Sequence, residues 1–129
     1  KDPVFLTDYI RVSLKRYISY KYSLGQSVLS VYLVDQEIED MVRGAIKQTS
    51  AGSFLALDPD SVQMILHAIR TTVKIAPPGG QPPVLVTAPD VRRFLRKQIE
   101  GEFPELPVLS FQEIVPEIRM QPLGRIQLT

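Results

Sequence analysis

Few residues in this chain carry chemistry by themselves, and their spacing decides what they could do. There is one histidine, His67, and no cysteine, so a thiol nucleophile, a disulfide frame and a thiolate metal site are excluded. His67 falls off the apolar stripe of its segment, beside Arg70 and Lys74, which makes it a surface position. A metal site would need convergent carboxylates around it, and no such set is recognisable. Carboxylates do gather at Asp35, Glu37, Asp40, Asp58 and Asp60. Each sits near the start of a helical pattern, where free N–H groups and the helix dipole favour negative charge. Capping explains them, with a paired general acid and base as the alternative. The Pro78-Gly79-Gly80 run lacks the Gly-Lys-Ser/Thr of a phosphate loop and precedes a strand pattern. No Ser lies in a Gly-x-Ser-x-Gly turn. The sequence therefore offers no catalytic, cofactor-binding or metal-ligating set.

The remaining candidates are cationic. Arg92, Arg93, Arg96 and Lys97 fall within six residues and form the candidate protein-docking surface. A second set, Arg11, Lys15, Arg16 and Lys21, is interleaved with Tyr9, Tyr17, Tyr20 and Tyr22. A solvated face, a docking face for an acidic partner and a nucleic-acid surface are the three readings of such clusters. The whole chain has 15 basic against 14 acidic residues, a formal charge of +1, which argues against broad attraction to nucleic acid or anionic lipid.

These residues sit on a legible frame. The 129 residues suffice for one domain that buries roughly two-thirds of its unfolded surface. The longest apolar runs fall far short of the roughly 20 residues of a membrane-spanning helix. A first helix is predicted from Asp2-Pro3 to about Tyr22, with Leu6, Ile10, Leu14, Tyr17 and Ile18 inward and Leu24-Gly25 as its stop. Phe5, Val12, Tyr20 and Tyr22 lie off that stripe, so a second face either meets a missing neighbour or packs on the same domain. Ser27–Val34 alternates Val28, Ser30, Tyr32, Val34 against Leu29, Val31, Leu33, the pattern of a strand covered on both faces. Asp35 then caps a helix with stripe Ile38, Met41, Val42, Ala45 and Ile46, and Gly52 ends the following loop. Phe54–Leu57 reads as a strand, and Asp58-Pro59 as the cap of a helix with stripe Val62, Ile65, Leu66, Ile69 and Val73. Pro77–Pro83 is a stiff loop that carries the chain back across the sheet.

The stretch Pro83–Ile114 reads as a parallel strand unit: Val84–Val86, a helix with Thr87 and Asp90 as a capping-box-like pair, then Val108-Leu109. Its helix stripe is Val91, Phe94, Leu95 and Ile99. Ile118–Met120 and Ile126–Leu128 read as edge strands around Pro122-Leu123-Gly124. The expected fold is α/β, a mixed sheet with packed helices.

The string VLVTAPDVRRFLRKQIEGEFPELPVLSFQEI, followed by Leu123-Gly124-Arg125-Ile126, resembles the end of the export-gate family of flagellar and type III secretion systems (the FlhA/InvA/LcrD family). LTDYIRVSLKRYISYKY and FLALDPDS extend the resemblance upstream, and GQSVLSVYL is closer to the virulence branch than to the flagellar one. The resemblance implies a non-enzymatic piece of an inner-membrane protein's cytoplasmic domain, without cofactors. It also implies a nonameric ring of copies that receives chaperone–substrate complexes, gatekeepers and export-apparatus proteins, with membrane contact only through upstream segments and no nucleic acid. A thioredoxin-like topology for residues 24–129 follows from it, with residues 1–23 as the closing helix of the preceding subdomain. The start at Lys1-Asp2-Pro3, without Met or a signal pattern, fits a piece of a longer protein. The rivals are an enzyme with its site at the strand carboxyl ends near Asp35, Asp58 and Thr87, and a weak nucleic-acid-binding module.

Overall fold

A computed structural model of the chain describes residues 3–74 and 80–128. The expectations for Asp2, for the Phe5 side chain and for Pro77, Pro78 and Gly79 of the loop lie outside the described residues. The main sheet has four strands in the order β5-β4-β1-β6, namely Val108–Ser110, Leu85–Thr87, Val28–Val34 and Arg119–Ile126. Every pairing in it is parallel. Antiparallel pairing occurs in a separate hairpin, β2 (Ile46–Thr49) with β3 (Gly52–Leu55). The class is α/β with packed helices, as the alternation of apolar strands and capped helices predicts, and nothing in the order conflicts with a thioredoxin-like topology.

Period-two patterning of β1 divides the core in two. Tyr32 and Val34 point to the face covered by α3 (Gln36–Gly44), α4 (Pro59–Thr72) and α5 (Pro89–Ile99), where Ile38, Val42, Ile65, Ile69, Leu95 and Ile99 are buried. Leu29 and Val31 point to the other face, which Ile18, Val86, Leu109 and Ile114 complete. Leu33 packs there half-buried. Burial on both sides is why the strands read as continuous apolar runs.

Two helix starts form as the sequence predicts. Asp35 accepts from the Glu37 N–H, and Asp58 accepts from the Ser61 N–H with Pro59 in the first turn. Leu24, in the left-handed region at φ 56°, closes α2, and Gly25 follows at φ 77°. A Cβ on Gly25 would stand 3.1 Å from the Tyr20 ring, so position and backbone both favour glycine there.

Five expectations are corrected. The first helix is two, α1 (Pro3–Ser13) and α2 (Lys15–Ser23), broken at Leu14. Its supposed inward stripe faces solvent: Leu6, Ile10, Leu14 and Tyr17 are exposed, and of that stripe Ile18 alone is buried. Polar ties described below rotate the helix that way. Ala45 and Ile46 leave the third helix, which ends at Gly44, and Ile46 opens β2. The Phe54–Leu57 segment contributes to the hairpin and not to the main sheet, because a short apolar run carries no information about its pairing partner. Thr87 and Asp90 do not cap α5. Its N-cap is Ala88, and both side chains are engaged with α3. Last, the two predicted edge strands are one strand, β6, whose register shifts where Val31 pairs with Pro122 and Tyr32 with Gly124. Leu123 is the extra residue, a bulge that suits a proline-bearing edge strand.

One tie has no sequence signature. The Gln81 side chain accepts from the Ser30 N–H (2.8 Å) and donates to the carbonyls of Val28 (2.7 Å) and Ser23 (2.9 Å). A side-chain amide thus satisfies the backbone of β1 before β4 begins.

Candidate protein-docking surface

α5 is held at both ends by residues from other elements. At its start, Glu39 of α3 accepts from the Thr87 hydroxyl and the Ala88 N–H, each at 2.7 Å. This carboxylate from a neighbouring helix does the work of an N-cap. Asp90 receives two hydrogen bonds from Arg43, at 2.6 and 3.1 Å. That bond draws the Asp90 carboxyl below its ordinary range and raises the Arg43 pKa. At the other end, Arg96 donates to the carbonyls of Phe103 and Pro104.

Glu113, only 2% exposed, is the charge centre of the molecule. It lies in the 3-10 turn Phe111–Glu113 that follows β5. Arg11 of α1 binds it with two hydrogen bonds, at 2.9 and 3.0 Å, a bidentate geometry suited to a desolvated pair. The Ser110 N–H donates to it at 3.3 Å, and Arg92 Nε stands 3.5 Å away. Burial works against the Arg11 charge, yet the hydrogen bond and charge of Glu113 outweigh it and raise the Arg11 pKa. Arg92 has the opposite balance, since burial and then Arg11 press its pKa down against the pull of Glu113. Ser19 of α2, wholly buried, donates to the Glu113 carbonyl and accepts from the Val115 N–H. These bonds, with Ile18, seat α1–α2 by its polar edge and leave its apolar stripe outward.

The four candidate cations accordingly have separate surroundings. Arg92 is buried, donates to the Val108 carbonyl at 3.2 Å, and faces Glu113 and Asp8. Arg96 is spent on carbonyls. Arg93 stacks its guanidinium 4.1 Å from the Phe94 ring centroid, and Lys97, with a largely exposed side chain, is 3.8 Å from Glu100. Only Arg93 and Lys97 offer charge outward. The second cationic set is also partly spent: Arg11 on Glu113, and Arg16 on Glu117 at 3.5 Å. Its tyrosines divide, with Tyr9, Tyr17 and Tyr20 exposed and Tyr22 packed on the sheet. Glu113, Glu39 and Arg43 were not singled out from the sequence; Ser110-Phe111-Gln112-Glu113 is a capping-box spacing that could have marked Glu113, whereas the ties of Glu39 to Thr87 and of Arg43 to Asp90 join distant positions without a local pattern.

The rival sites fare differently. Asp35 caps α3 and stands 3.5 Å from Arg125. Asp58 bonds the Ser61 hydroxyl and N–H, which holds its carboxyl below the ordinary range. A depressed pKa suits a cap and not a proton donor. Thr87 is committed to Glu39, and His67 is exposed. Among the described residues no group of three or more His, Asp or Glu could hold a metal ion, and no helix is long and apolar enough to cross a membrane.

Helices packed on both faces of a four-stranded parallel sheet define the class, an α/β unit. Comparison with known proteins gives the particular family. The FHIPEP family model matches residues 1–119, and the chain belongs to that family. It is 51% identical over 128 residues to the low calcium response locus protein D of Yersinia pestis, covering 99% of this chain and 18% of that protein. The chain thus spans under a fifth of the length of that relative. Among solved structures, Chlamydia pneumoniae CdsV in complex with CdsO matches with a TM-score of 0.92 and 68% identity, over 98% of this chain and 37% of that one. The nonameric EPEC SctV-C matches with a TM-score of 0.85 and 40% identity, over 98% of this chain and 37% of that one.

Proposed function

We propose that this chain is a non-enzymatic subdomain of a type III secretion export-gate protein of the virulence branch, and serves as part of a ring-forming docking platform for protein export. The observation that carries the reading is the match of 98% of the chain to the nonameric EscV cytosolic domain from the type III secretion system, with a TM-score of 0.79 and 39% identity. In this reading the whole protein sits in the bacterial inner membrane with this part on the cytoplasmic side. Its ring receives chaperone–substrate complexes, gatekeepers and a partner equivalent to CdsO, by analogy with the CdsV–CdsO complex. Catalysis is not required of it, and Asp35, Asp58 and Thr87 are engaged as caps and ties.

Residues 1–23 belong in this reading to the preceding subdomain, and residues 24–129 to the last one. Support comes from the exposed Leu6, Ile10, Leu14 and Tyr17, a stripe that a neighbouring subdomain would cover. The docking role of Arg92, Arg93, Arg96 and Lys97 rests with Arg93 and Lys97, whose charges face outward. The test uses the full-length protein in its secretion system. Charge reversal at Arg93 and Lys97 should slow partner association and lower its salt dependence; at the exposed Lys97 it should leave the melting temperature nearly unchanged, whereas at Arg93, with its Nε buried, it should cost some stability. Particles of the complete cytosolic domain should be nonamers. Monomers at every concentration, with secretion independent of the gene, would sink the reading.

A further inference from the structure

Between α1, the β2–β3 hairpin and the start of α5 lies a groove of about 620 Å³. Its walls are largely apolar: Tyr9 and Val12 from α1, Ile46 from β2 and Phe94 from α5. Three carboxylates reach it, and each already faces an arginine. Asp90 is bound by Arg43, Glu113 by Arg11, and Asp8 stands 3.7 Å from Arg92. Asp8 Oδ1 is buried without a hydrogen bond but has Arg92 beside it, whereas Arg93 has no opposite charge paired with it among the described residues. Arg93 lines the groove, and its Nε is likewise buried without a hydrogen-bond partner. Stacking on Phe94 holds the guanidinium in place, so little rotamer freedom is left to lose on binding. The groove therefore lacks one acceptor, at a position held rigid beside apolar surface. Lys97, one helical turn further on with its side chain largely exposed, extends the same attraction.

We propose that this groove docks a segment of a partner protein in which a carboxylate stands next to an apolar side chain. The carboxylate meets Arg93, and the apolar side chain lies against Tyr9, Ile46 and Phe94. A phosphate backbone is the poorer occupant, because Asp8, Asp90 and Glu113 line the same groove and would repel a run of anions. The proposal rests on the docking reading above and gives it an address and a partner chemistry.

The test is a titration of this chain, followed by nuclear magnetic resonance, with two blocked peptides, acetyl-Leu-Glu-Glu-Phe-amide and its isostere acetyl-Leu-Gln-Gln-Phe-amide. The acidic peptide should bind about tenfold more tightly at low salt, the scale of one charge-assisted hydrogen bond. The shifted resonances should belong to Tyr9, Ile46 and Phe94. Arg93→Met keeps the stem over Phe94 and should erase the preference between the peptides. Gln48→Glu, on the exposed hairpin lining the groove, should weaken the acidic peptide while sparing the neutral one, and it carries the test should Arg93→Met fail to fold. Equal affinities, a preference that survives Arg93→Met, shifts elsewhere on the surface, or no binding would each overturn the proposal. Such a failure alongside intact nonamers and normal secretion would leave the export-gate reading standing, whereas loss of both would remove that reading as well.

Discussion

Glu113 shows how a single side chain can determine the pose of a whole helix. Desolvated to 2% exposure, its charge is tolerable only beside Arg11 and Arg92, and α1 lies where Arg11 can deliver two hydrogen bonds. Glu113→Gln should therefore cost about 3 kcal/mol in chemical denaturation, the low end of the range for breaking a buried pair, since Arg11 keeps part of its solvent. A loss well under 1 kcal/mol would show the pair to be no more than a surface contact. Asp90 offers a pH-resolved counterpart. Its carboxyl is drawn below the ordinary value by Arg43, so the stability it adds is present above the unfolded pKa of about 4 and is lost as pH falls through the folded value. The difference in melting temperature between the parent chain and Asp90→Asn should be constant from about pH 7 to pH 5 and shrink below about pH 4. Because both partners are substantially exposed, the difference should be small throughout. Asp35 and Asp58 were legible as caps because the N–H groups that donate to them lie two or three residues away. The ties of Glu39 to Thr87, of Arg43 to Asp90 and of Glu113 to Arg11 were not, because a tie between distant elements has no spacing to read, although the Ser110–Glu113 capping box does.

Elements divide along the same line. The strand β1 follows from its two-sided apolar run, α3 and α4 from period and caps, and α5 from period alone, since each helix hides one face in a core that the pattern announces. The α1–α2 stripe misleads for an instructive reason: its apolar residues do line one face, but the polar edge carries the binding partners, and the stripe is left outward. The two halves are unequally held. α2 buries Ile18, Ser19 and Ser23, while the described side chains of α1 include none that is buried, and its anchors are Arg11 and the longer Asp8–Arg92 contact. Hydrogen exchange should be distinctly faster in residues 6–13 than in residues 15–23, with the change at Leu14, because opening free energy follows buried contacts. Addition of the preceding subdomain should slow α1 toward α2. Equal protection of both helices in this chain would mean that α1 is fixed by something other than the ion pair.

At the scale of the molecule, one sheet with two covered faces unites everything else, and the central pairings are long-range. β1 is an inner strand, flanked by β4 and by β6, and Val28 is paired with Arg119 and Val34 with Ile126. The residues of β1 thus depend for one whole edge on a strand that follows far downstream in the chain. A ribosome delivers the chain from its amino end, so from the emergence of β1 until that of β6 the β6-facing edge of β1 has apolar side chains and unpaired peptide groups on display, a template for pairing with another chain. Chains stalled on the ribosome with residues up to 118 emerged should be cleaved readily by protease. Those with residue 126 clear of the exit tunnel should resist, because only then is the open edge of β1 closed.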